Sequence, residues 1–231
     1  MAKRKLARFA EMNTFNHVVQ AEFSEVFEKD YKLKGNWNKD FFNNNNPIVL
    51  ELGCGKGEYT VGLARQNPQM NFIGVDIKGA RMWRGAKTAL DEGMKNVGFV
   101  RTRIDLINSF FAQAEISEVW ITFPDPQPKK HYKRLTSTRF LGYYQKFLKN
   151  NGIIHLKTDS KELHDYTKAL VELNKLETEV CTDNLYDSNF VDQTLSIKTF
   201  YEQQFLQKGK PITYIKFKLD IHKTLEEPKD E

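Results

Sequence analysis

At 231 residues, with a formal net charge of +5 and a pI near 9.0, the chain can bury one substantial core and carries a modest basic excess that permits polyanionic partners. No run approaches the roughly eighteen continuous apolar residues of a membrane span, and the N-terminus lacks the apolar stretch of a signal peptide, so a cytoplasmic protein is expected. Two cysteines, Cys54 and Cys181, make no disulfide framework, and the histidines show no metal-ligand spacing, so no metal site is expected.

Lys3, Arg4, Lys5 and Arg8 crowd the N-terminus, which is either a frayed tail or an arm that touches phosphates. Over residues 15–27 the apolar positions Phe15, Val18, Val19, Phe23, Val26 and Phe27 recur at helical spacing and predict an amphipathic helix. Asn43 to Asn46, closed by Pro47, reads as a linker, so residues 1–46 form a basic, helical extension, 47–220 the main domain and 221–231 a polar tail. A buried strand over 48–52 runs into Gly53, Cys54, Gly55, Lys56 and Gly57, then a helix over 58–64. Further strands are predicted over 71–75, 97–100, 119–123, 153–156 and 212–219, and helices over 80–90, 136–148, 160–173 and 195–207. This alternation implies an α/β, doubly wound, mostly parallel sheet with its ligand site beyond the strand C-termini.

The glycine loop is GxGxG, which differs from the GxGxxG of nicotinamide-binding folds. Its glycines let backbone approach a ligand, and the helix that follows aims free N–H groups at it. Asp76, at the end of the second core strand, is placed either to accept two ribose hydroxyls or to cap the next helix. Glu51 sits just before the glycines. A pyrophosphate would be repelled there, whereas the ammonium and sulfonium of S-adenosylmethionine would be attracted, unless Glu51 pairs with a neighbouring base.

The stretch over 119–134 reads VWITFPDPQPKKHYKR. A strand stops at three prolines in five positions, which restrict the backbone around Asp125. Lys129, Lys130, His131, Lys133 and Arg134 follow, either as a polyanion contact or as a solvated charge run. Asp159 before Ser160 and Glu162 also fits a helix N-cap, and Thr199 with Glu202 fits a capping box. Trp83, on a helix, reads as packing in the core or beside the cofactor.

Together VLELGCGKGEY, FIGVDI, FPDPQPKKHYKR, HLKTD and TFYE resemble the bacterial tRNA (guanine-N7-)-methyltransferase family across residues 48–218. The resemblance implies a Rossmann-like class I fold with a seven-stranded sheet, S-adenosyl-L-methionine as cofactor, and methylation of N7 of a guanine in the tRNA variable loop, guanine 46 in tRNA numbering. It implies cofactor contacts from Glu51, Gly53, Gly55, Asp76 and Asp125, with Asp125 also catalytic. A further cofactor position falls on Arg103 or Asp105. Substrate contacts fall on Lys129, Asp159, Thr199, Phe200, Tyr201 and Glu202. Two features depart from the family pattern: Gln127 stands where Trp is usual, and the basic run after Lys130 is short. A class I methyltransferase acting on a small molecule or protein would share everything through Asp76, but would have no use for a basic rim.

Overall fold

The computed structural model describes residues 2–228, with side chains from Leu6 onward, so the basic side chains of Lys3, Arg4 and Lys5 and residues 229–231 lie outside it. An eight-stranded sheet runs in the order β1-β4-β3-β2-β5-β6-β8-β7, where β1 is Val18–Val19, β2 Ile48–Leu52, β3 Asn71–Asp76, β4 Val97–Arg101, β5 Ile116–Thr122, β6 Leu148–Thr158, β7 Thr178–Thr182 and β8 Thr213–Leu219. Only β8 runs against the others, pairing antiparallel with both β6 and β7. The central strand β2 is buried at every position, as a parallel strand covered on both faces must be. Ile48, Val49, Leu50 and Leu52 are each no more than 1% exposed. Burial on that scale stabilises by roughly 1.5–3 kcal/mol per side chain.

Helices cover the sheet: α1 Ala2–Met12, α2 Phe23–Val26, α3 Glu58–Gln66, α4 Gly79–Asp91, α5 Thr138–Tyr144, α6 Lys161–Leu173 and α7 Phe200–Gln207. Strand β2 pairs with β3 on one side and with β5 on the other, and the chain crosses from β4 back to β5, so the order reverses between β2 and β5. Such a switch point opens a crevice beyond the strand C-termini. The glycine loop after β2 and the proline turn after β5 meet there.

Three expectations are corrected. The helix over 15–27 is instead a turn, the short strand β1 and the single-turn α2. Val18 and Val19 pair with Phe99 and Val100 of β4, whose edge would otherwise present unpaired backbone groups; this edge strand brings the count to eight. The basic N-terminal segment is helical: α1 packs on α4, burying Met12, and Trp83 Nε1 donates to Glu11 Oε2 at 2.8 Å while the Arg8 guanidinium lies 4.5 Å over its ring. Helix α7 begins at Phe200 and not at Leu195, because Thr199 caps it and the residues before lie as a strap across the sheet. Strand β7 was not foreseen; its alternation is weak and none of its residues is buried.

Candidate active site

A cleft of about 390 Å³ opens at the switch point, lined by Glu51, Gly53, Gly55, Asp76, Asp125 and Thr199, among others. That volume lies in the range of small-molecule and cofactor sites. A Cβ on Gly53 would meet nothing within 4 Å and one on Gly55 only the Gly53 carbonyl, so both glycines border open space, at φ of +77° and +55°. Gly57 is required for a different reason. Its added Cβ would lie 2.7 Å from the Phe99 ring and 3.1 Å from Gly85 Cα, so the loop presses directly on α4.

Glu51 is buried at the floor of this cleft. Thr122 Oγ1 donates to its Oε1 at 2.5 Å, and Thr60 donates to Oε2 from its backbone N at 2.8 Å and from its hydroxyl. No ion pair to Glu51 occurs among the described residues. Burial therefore pushes its pKa up to about 7, against the pull of those hydrogen bonds and with the help of nearby Asp76. A buried carboxylate with donors but no cation fits a ligand that brings its own positive charge. Asp76 accepts from Gly55 N at 2.9 Å through Oδ2 and from Lys78 N at 2.7 Å through Oδ1, which fixes it at the loop.

The proline turn forms the facing wall. Phe123 follows β5 at φ +48°, a left-handed conformation that costs a bulky residue of order 1–3 kcal/mol. Its N–H is held by the Lys157 carbonyl at 2.8 Å and its ring lies 5.8 Å from that of Phe205. Asp125 follows, exposed on the cleft, with Oδ1 accepting from Gln127 N at 3.2 Å. Its Oδ2 has no hydrogen-bond partner among the described residues. Gln127 also lines the cleft, at φ +48°. The turn is clamped from behind by Arg134, which is 2% exposed. It donates from Nε to the Pro126 carbonyl at 3.0 Å and pairs with Glu162 while stacking 4.5 Å from the Tyr166 ring. Arg134 thus leaves the basic run, and Lys133 is the member that lines the cleft, with Lys129 exposed outside it.

The third wall is the start of α7. Thr199 and Glu202 form a reciprocal capping box, and Thr199 and Tyr201 line the cleft. Phe200 N donates to Glu58 Oε2 at 3.0 Å, closing the gap to α3. Glu202 points away from solvent, 2.8 Å from Lys157 Nζ. Asp159 pairs with Lys210 at 3.2 Å, and Ser160, not Asp159, caps α6. Arg103 and Asp105 are apart from the cleft. They pair with each other at 3.1 Å, and Arg103 lines a neighbouring hollow with Ile77 and Thr102, while Asp105 also binds Arg139. Sequence reasoning passed over Thr122, Lys56, Glu58, Lys78, Arg81 and Leu135 as cleft residues. Thr122 could have been flagged by its place beside Asp125 at a strand end; the others carry no local signal.

Solved structures share this fold. The 16S rRNA methyltransferase KamB matches with a TM-score of 0.61 at 13% identity, covering 79% of this chain and 92% of that one. An antibiotic-related methyltransferase matches with a TM-score of 0.60 at 15% identity, covering 83% and 96%. The doubly wound sheet, and the glycine loop and two strand-end carboxylates gathered at its switch point, define a class I, S-adenosylmethionine-dependent methyltransferase. A family model described as "Putative methyltransferase" matches residues 45–215. The tRNA (guanine-N(7)-)-methyltransferase of Bacteroides fragilis is 57% identical, with 99% of this chain and 90% of that protein covered, and that of Christiangramia forsetii is 54% identical, with 94% and 99% covered. The one from Listeria welshimeri is 36% identical over 86% of this chain and 92% of that protein. This chain belongs to the tRNA (guanine-N(7)-)-methyltransferase family.

Proposed function

We propose that the cleft holds S-adenosylmethionine between Glu51 and Asp76 and that the chain methylates N7 of guanine 46 in the tRNA variable loop. The observation that carries the reading is the buried, cation-less Glu51 at the base of a glycine loop, lining the same cleft as the turn that bears Asp125. When bound, the cofactor supplies an electrophilic methyl group. Glu51 would face its positive end, and Asp76 its ribose hydroxyls. Arg103, Ile77 and Thr102 line the adjoining hollow and would flank the adenine.

N7 of guanine carries an in-plane lone pair and needs no deprotonation, so no strong base is required. Alignment is the main task, and holding the two reactants in line supplies several kcal/mol. As the methyl arrives the purine becomes positive. The Asp125 carboxylate, held by Gln127 N through one oxygen only, would stabilise that charge more in the transition state than in the ground state. The same carboxylate can accept from N1–H and the N2 amino group of guanine. Adenine offers neither donor, a discrimination of roughly 1–3 kcal/mol. Lys129, Asp159, Thr199, Phe200 and Tyr201 are the proposed tRNA contacts, with Glu202 acting through the cap it forms.

The test is incubation of the purified protein with labelled S-adenosylmethionine and bulk unmodified tRNA, followed by nucleoside analysis and mapping of the modified position. Label in 7-methylguanosine at position 46 is expected. Cofactor binding with every tRNA left unlabelled would move the assignment to a methyltransferase of other substrates.

A further inference from the structure

A second groove, of about 460 Å³, runs between α3 and α4 and is continuous with the cleft through Lys56 and Glu58, which line both. Its rim carries Arg84 of α4 and Lys198 of the strap before α7. Lys198 is brought there by Ile197, which packs on Gly62 so closely that a Cβ at that position would meet it at 2.9 Å. Lys78, just before α4, and Arg81 and Arg84 on it follow at three-residue spacing, the first two at the cleft rim and the third in the groove. None of Lys56, Lys78, Arg81, Arg84 and Lys198 has a carboxylate partner among the described residues; the ammoniums of Lys56 and Lys198 instead lie 3.6 Å and 4.7 Å over the rings of Phe200 and Tyr186, which leaves their charge unpaired. Arg65 pairs with Glu92, and Lys87 with Asp91. The acid in the groove, Glu58, is occupied by Phe200 N.

Cations without a carboxylate partner, in a row that starts at an active site and descends a groove, match the backbone of a polyanion whose reacting base sits in that site. We infer that the α3–α4 groove is a docking track for tRNA phosphates flanking the methylated nucleotide, an inference that rests on the tRNA reading above. It assigns backbone contact to α4 and the strap, in addition to the run after the proline turn.

The experiment uses Arg84→Ala/Lys198→Ala, two residues outside the cleft, with Arg84→Lys/Lys198→Arg as the charge-conserving control. Loss of two phosphate contacts lowers the slope of log affinity against log salt by about 1.5 and raises KM for tRNA roughly tenfold near physiological salt. Cofactor affinity and kcat at saturating tRNA stay unchanged, and the control keeps the wild-type slope. An unchanged slope and KM in the alanine variant would overturn the groove as a track while leaving 7-methylguanosine formation intact. If wild-type protein forms no 7-methylguanosine yet its tRNA affinity shows the slope change, the groove stands and the catalytic assignment falls.

Discussion

The ammonium of Lys157 and the carboxylate of Glu202 lie 2.8 Å apart with neither side chain reaching solvent. Burial pulls the lysine pKa down, and Glu202 offsets only part of that fall. The same ammonium donates to the Leu195 and Ile197 carbonyls at 3.0 and 3.1 Å, while the Lys157 backbone carbonyl holds Phe123. One residue of β6 therefore fastens both the strap leading to α7 and the turn bearing Asp125. Removing one partner leaves a buried unpaired charge, so Lys157→Met should cost about 3–5 kcal/mol in urea unfolding. The double variant Lys157→Met/Glu202→Met should be more stable than Lys157→Met alone. Additive losses would show that the two charges are not coupled.

Asp125→Asn keeps the size and the turn but removes the charge. Cofactor affinity measured by calorimetry should match wild type, while kcat falls roughly 10²-fold or more. Unchanged turnover would remove Asp125 from the chemistry.

Glu51 makes the protein sensitive to pH near neutrality. Its pKa is raised from 4.5 to about 7 in the folded state, so the protonated form is favoured by folding. Its contribution is full below the unfolded value and is lost as pH rises through 7, a change of about 3 kcal/mol. Glu51→Gln should flatten unfolding stability over that window. A cationic ligand acts in the opposite sense by favouring the carboxylate. Binding of S-adenosylmethionine should release a proton near pH 7, detectable as a dependence of calorimetric heat on buffer ionisation enthalpy, and Glu51→Gln should abolish that dependence.

Two neighbours in the basic run should behave differently. Lys129→Ala should lower the salt slope of tRNA binding by about one unit, because its exposed ammonium is available to a phosphate. Arg134→Ala should leave that slope alone and instead destabilise the fold by roughly 2–3 kcal/mol, since it strips a charged hydrogen-bond donor from Pro126 and Glu162. Arg134→Lys should not restore stability, because an ammonium cannot reproduce the flat guanidinium stacked on Tyr166.

Where the governing contacts are local, the amino-acid sequence was enough. The apolar run at 48–52, the glycines after it, the acidic strand end at Asp76 and the proline-bound Asp125 all follow from strand period, turn chemistry and spacing within one βα unit. The capping box of Thr199 and Glu202 was legible for the same reason: its partners are three residues apart. Distant partners decided the remainder. Val18 and Val19 fit a helical stripe equally well until the open edge of β4 claims them. Arg134 is indistinguishable from Lys133 in a basic run until Glu162 and Tyr166 enclose it, and Lys157 is an ordinary strand residue until Glu202 and two carbonyls close over its ammonium. Periodicity and turn chemistry act through the backbone geometry of a few consecutive residues, so they can be read from sequence; burial and charge pairing depend on which surfaces meet, and only the assembled sheet and its covering helices determine that.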